Sequence, residues 1–153
     1  MKIQTKRFGP IRVDAHAVIE LPNGLIGWPS LTRFAPVERE DIGMFRWWQA
    51  LDAPEVAVVV VDPLRVAPDY DLASLELDLI DPALGDPASR SVVVLATVPR
   101  PMLESVTLNL AAPIVVNTAT RQGWQLVHPD GRYAVDTRLD ELLSPKRVLE
   151  LAA

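Results

Sequence analysis

Residues 107–127 read TLNLAAPIVVNTATRQGWQLV. Two apolar runs, Ile114-Val115-Val116 and Trp124 with Leu126-Val127, flank a polar link from Asn117 to Gly123. β-Branched and aromatic residues on either side of a short link ending in Gly predict an antiparallel hairpin. Gly123 is the residue expected to take a positive φ before the second strand. Pro113 stands at the entrance of the first run, where a missing N–H costs least. Asn109 alternates with Leu108 and Leu110, which puts both leucines on one face of an extended chain. Asn109, Asn117, Arg121 and Gln125 are polar positions in an otherwise apolar block. Buried amides must be hydrogen-bonded, and Asn readily bonds nearby backbone. Structural pinning of the hairpin is therefore preferred over contact with a partner.

Upstream, short apolar pieces repeat. Residues 2–7 alternate as a half-exposed strand guarded by lysines, Phe8-Gly9-Pro10 reads as a turn, and Ile11 with Val13 continues a second strand. Val18, Ile19 and Leu21 give a third strand, before the turn signal Pro22-Asn23-Gly24. Further strands are read at Arg33 to Val37, Met44 to Leu51, Val56 to Val61 and Ser91 to Val98. The Val56 to Val61 run is apolar on both faces, so it is expected to be central and covered on both sides. Trp47 and Trp48 must face opposite ways on a strand. One of them is expected at the surface or in an interface. Leu25, Ile26 and Trp28 with one of these tryptophans form either an exposed apolar patch or ordinary core, and core is preferred. After the hairpin, Tyr133 to Leu139 reads as a last strand, with Tyr133 and Val135 on one face. Residues 139–151 read as a short amphipathic helix broken by Pro145. No internal repeat or low-complexity linker is present.

With 153 residues, 14 prolines and 7 glycines, the chain is long enough for one core but too interrupted for a helical bundle. The fold class expected is all-β, mainly antiparallel: one small closed or partly open barrel-like domain over residues 1–140, with short helical turns. Residues 141–153 are an extension, read as helical. There is no cysteine, so disulfides and thiolate ligands are excluded. The start, MKIQTKRFG, lacks the apolar stretch of a signal peptide, and the longest apolar run falls far short of the ~20 residues that span a bilayer. A cytoplasmic protein with no membrane contact is expected. The formal charge of -5 opposes binding to a phosphate backbone, so no direct nucleic-acid partner is expected.

The negative charge is concentrated. Between Asp62 and Ser89 stand Asp62, Asp69, Asp71, Glu76, Asp78, Asp81 and Asp86 against the single base Arg65, while the rest of the chain is nearly neutral. Four prolines keep this segment from forming one long helix, leaving room for a helical turn around Leu72 to Ile80. A solvated loop that keeps the protein soluble is the plain reading. The alternative is a surface that attracts a basic partner. Asp69-Tyr70-Asp71 is the most interface-like triplet, since Tyr is enriched at contacts, although Tyr70 also reads as a core residue with its hydroxyl at the rim.

Four stretches, in order, carry a resemblance: TKRFGPIRVDAHAVIELPNGLIGWPSLTRF at 5–34, DAPEVAVVVVDP at 52–63, PDYDL at 68–72, and the hairpin stretch at 107–127. The chain resembles the flagellar assembly factor FliW family from Lys2 to about Leu139. The family's Asn-Leu-x-Ala-Pro-Ile-x-x-Asn core, followed by Arg-x-Gly-x-Gln, is matched by Asn109, Ala112, Pro113, Ile114, Asn117, Arg121, Gly123 and Gln125. Two features depart from it. Ile26 and Trp28 stand where Pro and Phe are common, and the acidic segment carries extra prolines. The resemblance implies a small all-β, barrel-like fold and a binding protein without catalysis or cofactor. It further implies two partners, flagellin and the RNA-binding translational regulator CsrA, whose repression of flagellin mRNA it relieves. The partner-binding residues then expected are Asp62, Asp69, Tyr70, Asp71, Glu76 and Asp78.

Catalytic signatures are absent. His16 and His128 lack metal-ligand spacing, and His128, ahead of Pro129-Asp130-Gly131, is expected at the surface. No Ser sits in a nucleophile elbow, and Gly24-x-x-Gly27 is too short for a phosphate-cradling loop. The competing class is a cation-binding or hydrolytic acidic β-barrel using Asp69, Asp71, Glu76 and Asp78. The Asp-x-Asp-x-Asp-Gly calcium loop is missing, so no metal site is expected.

Overall fold

The computed structural model describes residues 1–39, 43–99 and 105–143. Among these residues eleven strands are formed: β1 (Lys2–Thr5), β2 (Gly9–Arg12), β3 (Ile19–Glu20), β4 (Arg33–Val37), β5 (Arg46–Ala50), β6 (Ala57–Val61), β7 (Arg90–Thr97), β8 (Thr107–Leu108), β9 (Ile114–Asn117), β10 (Gln122–Gln125) and β11 (Thr137–Arg138). Three one-turn helices are α1 (Pro63–Val66), α2 (Leu77–Ile80) and α3 (Leu139–Leu142). β1 and β2 pair by themselves, and the other strands run in the order β11-β8-β7-β6-β5-β4-β3-β10-β9. A further pairing of β9 with β7 closes the ring from β7 through β6, β5, β4, β3, β10 and β9. The fold is thus the expected all-β barrel, in its closed form. All pairings are antiparallel except β10 with β3, joined at Gln122 and Glu20.

Closure depends on how β7 is shared. Its Val94, Leu95 and Ala96 pair with β6, Arg90 to Val93 with β9, and Ala96 and Thr97 with β8. β8 and β9 therefore lie in one line along β7. Between Leu108, opposite Ala96, and Ile114, opposite Val93, the facing chain has three residues too many. The surplus at 109–113 loops out as a bulge. The Asn109 side chain closes that bulge by accepting from the Ala112 N–H at 3.1 Å.

Two apolar clusters form, one on each face of the curved sheet. Ile19, Leu21, Phe34, Trp48, Val60, Ile114 and Val116 fill one. Trp47, Val59, Val61, Val94, Val106, Leu108 and Leu139 form the other, with Val66, Ala67 and Tyr70 from the connection after β6. The valine-rich β6 is covered on both faces, as its composition predicts. Trp47 and Trp48 do face opposite ways, yet both are buried, at 7% and 6% exposure. The expectation that one lies at the surface fails because the barrel has a second apolar layer outside it. Phe8 packs edge-on against Trp47 at 5.5 Å, and the Arg7 guanidinium lies 4.5 Å from the ring. Leu25 is buried, whereas Ile26 and Trp28 are exposed.

Two local readings are corrected. The last strand shrinks to Thr137–Arg138. Residues 130–133 instead turn, with the Arg132 N–H donating to Asp130 Oδ1, and Val135 is exposed. In the hairpin link, Arg121 rather than Gly123 takes the positive φ, at 63°. Its N–H donates to the Asn117 carbonyl at 2.7 Å and its Nη2 to the Ala17 carbonyl at 2.8 Å. These bonds hold a conformation that costs an L-residue roughly 1–2 kcal/mol. Gly123 is required for space: a Cβ there would stand 2.8 Å from the Val115 carbonyl oxygen. Of the helix read over 139–151, α3 is formed and anchored by the buried Leu139; its continuation lies outside the described residues.

Candidate partner-binding surface

The connection between β6 and β7 is the acidic segment. It contains α1, a 3-10 turn at Ala73–Leu75, α2, and 3-10 turns at Pro82–Leu84 and Pro87–Ser89. Each Pro at a helix start follows an Asp, and the carboxylates of Asp62 and Asp81 accept from the N–H groups of Leu64 and Ala83. This is N-capping: an oxygen satisfies a donor that has no partner within the helix.

Two anchors dock the segment on the barrel. The first is the bulge. The Tyr70 hydroxyl donates to the Leu110 carbonyl at 2.7 Å, the His128 N–H to that of Ala111 at 2.7 Å, and Gln125 Nε2 to that of Ala112 at 3.0 Å. Three carbonyls freed by the bulge are thus satisfied, as buried backbone requires. Tyr70 is buried at 4% exposure, its ring 4.7 Å from Tyr133 and 5.4 Å from His128. Its place in the sequence-derived contact set is therefore corrected: the apolar outer layer takes the ring into the core. Burial also pushes its hydroxyl pKa well up. His128 is corrected as well. It is buried, with Nδ1 accepting from the Asp130 N–H at 3.0 Å and Nε2 on the Asp71 carbonyl at 2.7 Å. The Tyr133 hydroxyl accepts from the Asp71 N–H at 2.9 Å.

The second anchor is Asn117. Its Nδ2 donates to the Ala83 carbonyl at 3.0 Å, and its Oδ1 accepts from the Ala119 N–H at 3.0 Å. One side chain thus ties the acidic segment to the hairpin link. Gly85 leaves room for it, since a Cβ there would meet Asn117 Nδ2 at 2.6 Å. Asn109, Asn117, Arg121 and Gln125 all bond backbone, the geometry expected of residues that pin the hairpin. Pro113 is buried at the mouth of β9, its carbonyl accepting from the Leu126 N–H.

The remaining carboxylates divide by occupation. Asp71 accepts from the Ser74 hydroxyl and N–H, which hold its pKa below the usual carboxylate range. Asp78 pairs with Arg90 at 2.7 Å. Asp69, Glu76 and Asp86 are exposed, and their carboxylates have no hydrogen bond or ion pair among the described residues. These three leave their charge available to solvent or a partner. Asp86 belongs to the acidic segment but not to the expected contact residues, because free and capping aspartates look alike in sequence. Among the described residues, no three His, Cys, Asp or Glu side chains are grouped to hold a metal ion, so Asp69, Asp71, Glu76 and Asp78 do not form a ligand set. No helix among the described residues is long and apolar enough to cross a membrane.

The family model described as "FliW protein" matches residues 2–139. The chain belongs to the FliW family. The Flagellar assembly factor FliW of Magnetococcus marinus is 32% identical over 130 residues, covering 85% of this chain and 80% of that protein. The FliW of Moorella thermoacetica is 32% identical over 142 residues, covering 91% and 88%. A crystal structure of the flagellar assembly factor FliW superposes with a TM-score of 0.75 at 27% identity, over 91% of this chain and 96% of that one. The FliW match ends at Leu139, the residue that anchors α3 in the outer layer.

Proposed function

We propose that this chain is a non-catalytic flagellar assembly factor of the cytoplasm that binds a CsrA-type RNA-binding regulator and flagellin. By covering the regulator it relieves repression of flagellin mRNA translation, with no cofactor and no direct nucleic-acid contact. Family membership supports the flagellar role. The single observation that carries the mode of action is the set of exposed carboxylates Asp69, Glu76 and Asp86, which have no hydrogen bond or ion pair among the described residues. They stand on a segment anchored at both the bulge and the hairpin link. An anchored acidic surface attracts a basic RNA-binding protein over several ångströms and disfavours RNA itself. It loses little entropy on docking, because the backbone is already ordered.

The test is calorimetric titration of the purified regulator against the wild-type chain and the triple variant Asp69→Asn, Glu76→Gln, Asp86→Asn. The expected result is weaker binding and a shallower dependence on salt. Equal affinity and equal salt dependence would remove this surface from the interaction. Capture of neither regulator nor flagellin by the wild-type chain at low ionic strength would overturn the function as a whole.

A further inference from the structure

Within the acidic segment lies an open groove of ≈ 490 Å³, with Leu72, Leu77, Leu79 and Pro87 among its lining and Glu76 and Asp78 on it as well. Leu79 is 79% exposed and Ile80 is 47% exposed. Both sit on α2, a helix of one turn with no buried residue. Large aliphatic side chains left in water forgo the free energy of burial, so this turn gains little from the chain's own core. Glu76 joins the 73–75 turn to α2 with φ 49° and ψ 50°, the left-handed region. Arg90, whose side chain is only 11% exposed, also lines the groove, but its Nη2 is held by Asp78 and the Gly85 carbonyl. The free charge on the groove is therefore negative.

We propose that this groove receives an aliphatic side chain projecting from a basic protein surface. Leu79, with Leu72, Leu77 and Pro87 along the groove, supplies the water-excluded contact, and Glu76 supplies the attraction around it. This rests on the acidic-surface reading above and adds an apolar anchor to it. Charge complementarity selects the occupant. A second copy presenting the same face, or an acidic helix, would meet like charge, which opposes association. A basic surface carrying one protruding aliphatic residue matches both features, and such buried central anchors ringed by polar groups dominate binding energy.

The test uses the full chain and the purified CsrA-type regulator. Leu79→Ser is titrated beside the acidic triple variant at two salt concentrations. Leu79 is exposed, so an unchanged melting temperature is expected and serves as the folding control. The expected result is a loss of affinity of about tenfold or more with the salt dependence retained, and a less negative heat-capacity change on binding. Full affinity in the serine variant, with weakening in the acidic variant, overturns the groove and leaves the acidic surface standing. Full affinity in both overturns both.

Discussion

The Nε2 of His128 lies 2.7 Å from the carbonyl oxygen of Asp71, a residue 57 positions earlier in the chain. Because Nδ1 accepts from the Asp130 N–H, the ring proton sits on Nε2 and donates to that carbonyl. The Tyr133 hydroxyl accepts from the N–H of the same Asp71. Both backbone groups of Asp71 are thus held by side chains from the segment after β10.

Replacing His128 with Ala should therefore loosen the acidic segment as well as lower stability. A buried hydrogen-bonded ring lost from a packed cluster costs about 2–3 kcal/mol. Denaturant unfolding measures the total. Amide exchange should show the largest acceleration around residues 69–72, and uniform acceleration across the chain would contradict the anchoring role.

Asn117→Ala and Gly85→Ala act on one contact and should not add. Asn117→Ala strips the Ala83 and Ala119 bonds, an expected loss of about 2 kcal/mol. Gly85→Ala places a Cβ against the Asn117 amide at a φ of +74° and should cost a similar ~1–3 kcal/mol. In the double variant the clash is relieved, so the combined loss should fall short of the sum by more than about 0.5 kcal/mol. Strict additivity in a thermal-melt cycle would mean that the two residues do not meet.

Gly123→Ala should destabilise the hairpin by about 1–3 kcal/mol through the Val115 carbonyl contact, although its φ is ordinary. At Arg121, glycine relieves the left-handed backbone but loses the bond to Ala17. Arg121→Gly should therefore be no more stable than wild type. A rise in its melting temperature would show that the guanidinium bond is worth less than the strain it offsets.

The Asp71 carboxylate should titrate below an ordinary aspartate, because the Ser74 hydroxyl and then its N–H favour the ionised form. A depressed folded-state pKa stabilises the fold above the unfolded value near 3.9. That contribution is lost as pH falls through the lower, folded value. In Ser74→Ala the carboxyl titration followed by NMR should move up toward the ordinary value, and acid unfolding should begin at higher pH. An unmoved Asp71 titration would refute the assignment.

Trp47 and Trp48 are both enclosed, and Trp28 is 48% exposed. In a Trp28→Phe variant, acrylamide should therefore quench the remaining fluorescence markedly less than in wild type. Equal quenching would mean that Trp28 is no more accessible than the three that remain, Trp47, Trp48 and the half-buried Trp124.

The strands were legible in the sequence wherever a signal was local. Alternation and β-branching marked β4 to β7 and the β9–β10 hairpin, and the placing of charge marked the acidic segment. The hairpin's amides were readable as pins, since a buried amide among valines must find a backbone partner. What the residues alone determined is therefore a small barrel of short strands with an acidic insertion. Tertiary structure decided which aromatics are covered. Trp47 needed Phe8 laid against it and an apolar layer outside the barrel, and Tyr70 and His128 needed a bulge whose carbonyls they could meet across 40 and 17 positions. The difference is physical: strand formation depends on neighbours within a few residues. Burial and the division of carboxylates into occupied and free depend on partners that only the closed barrel brings within hydrogen-bonding distance.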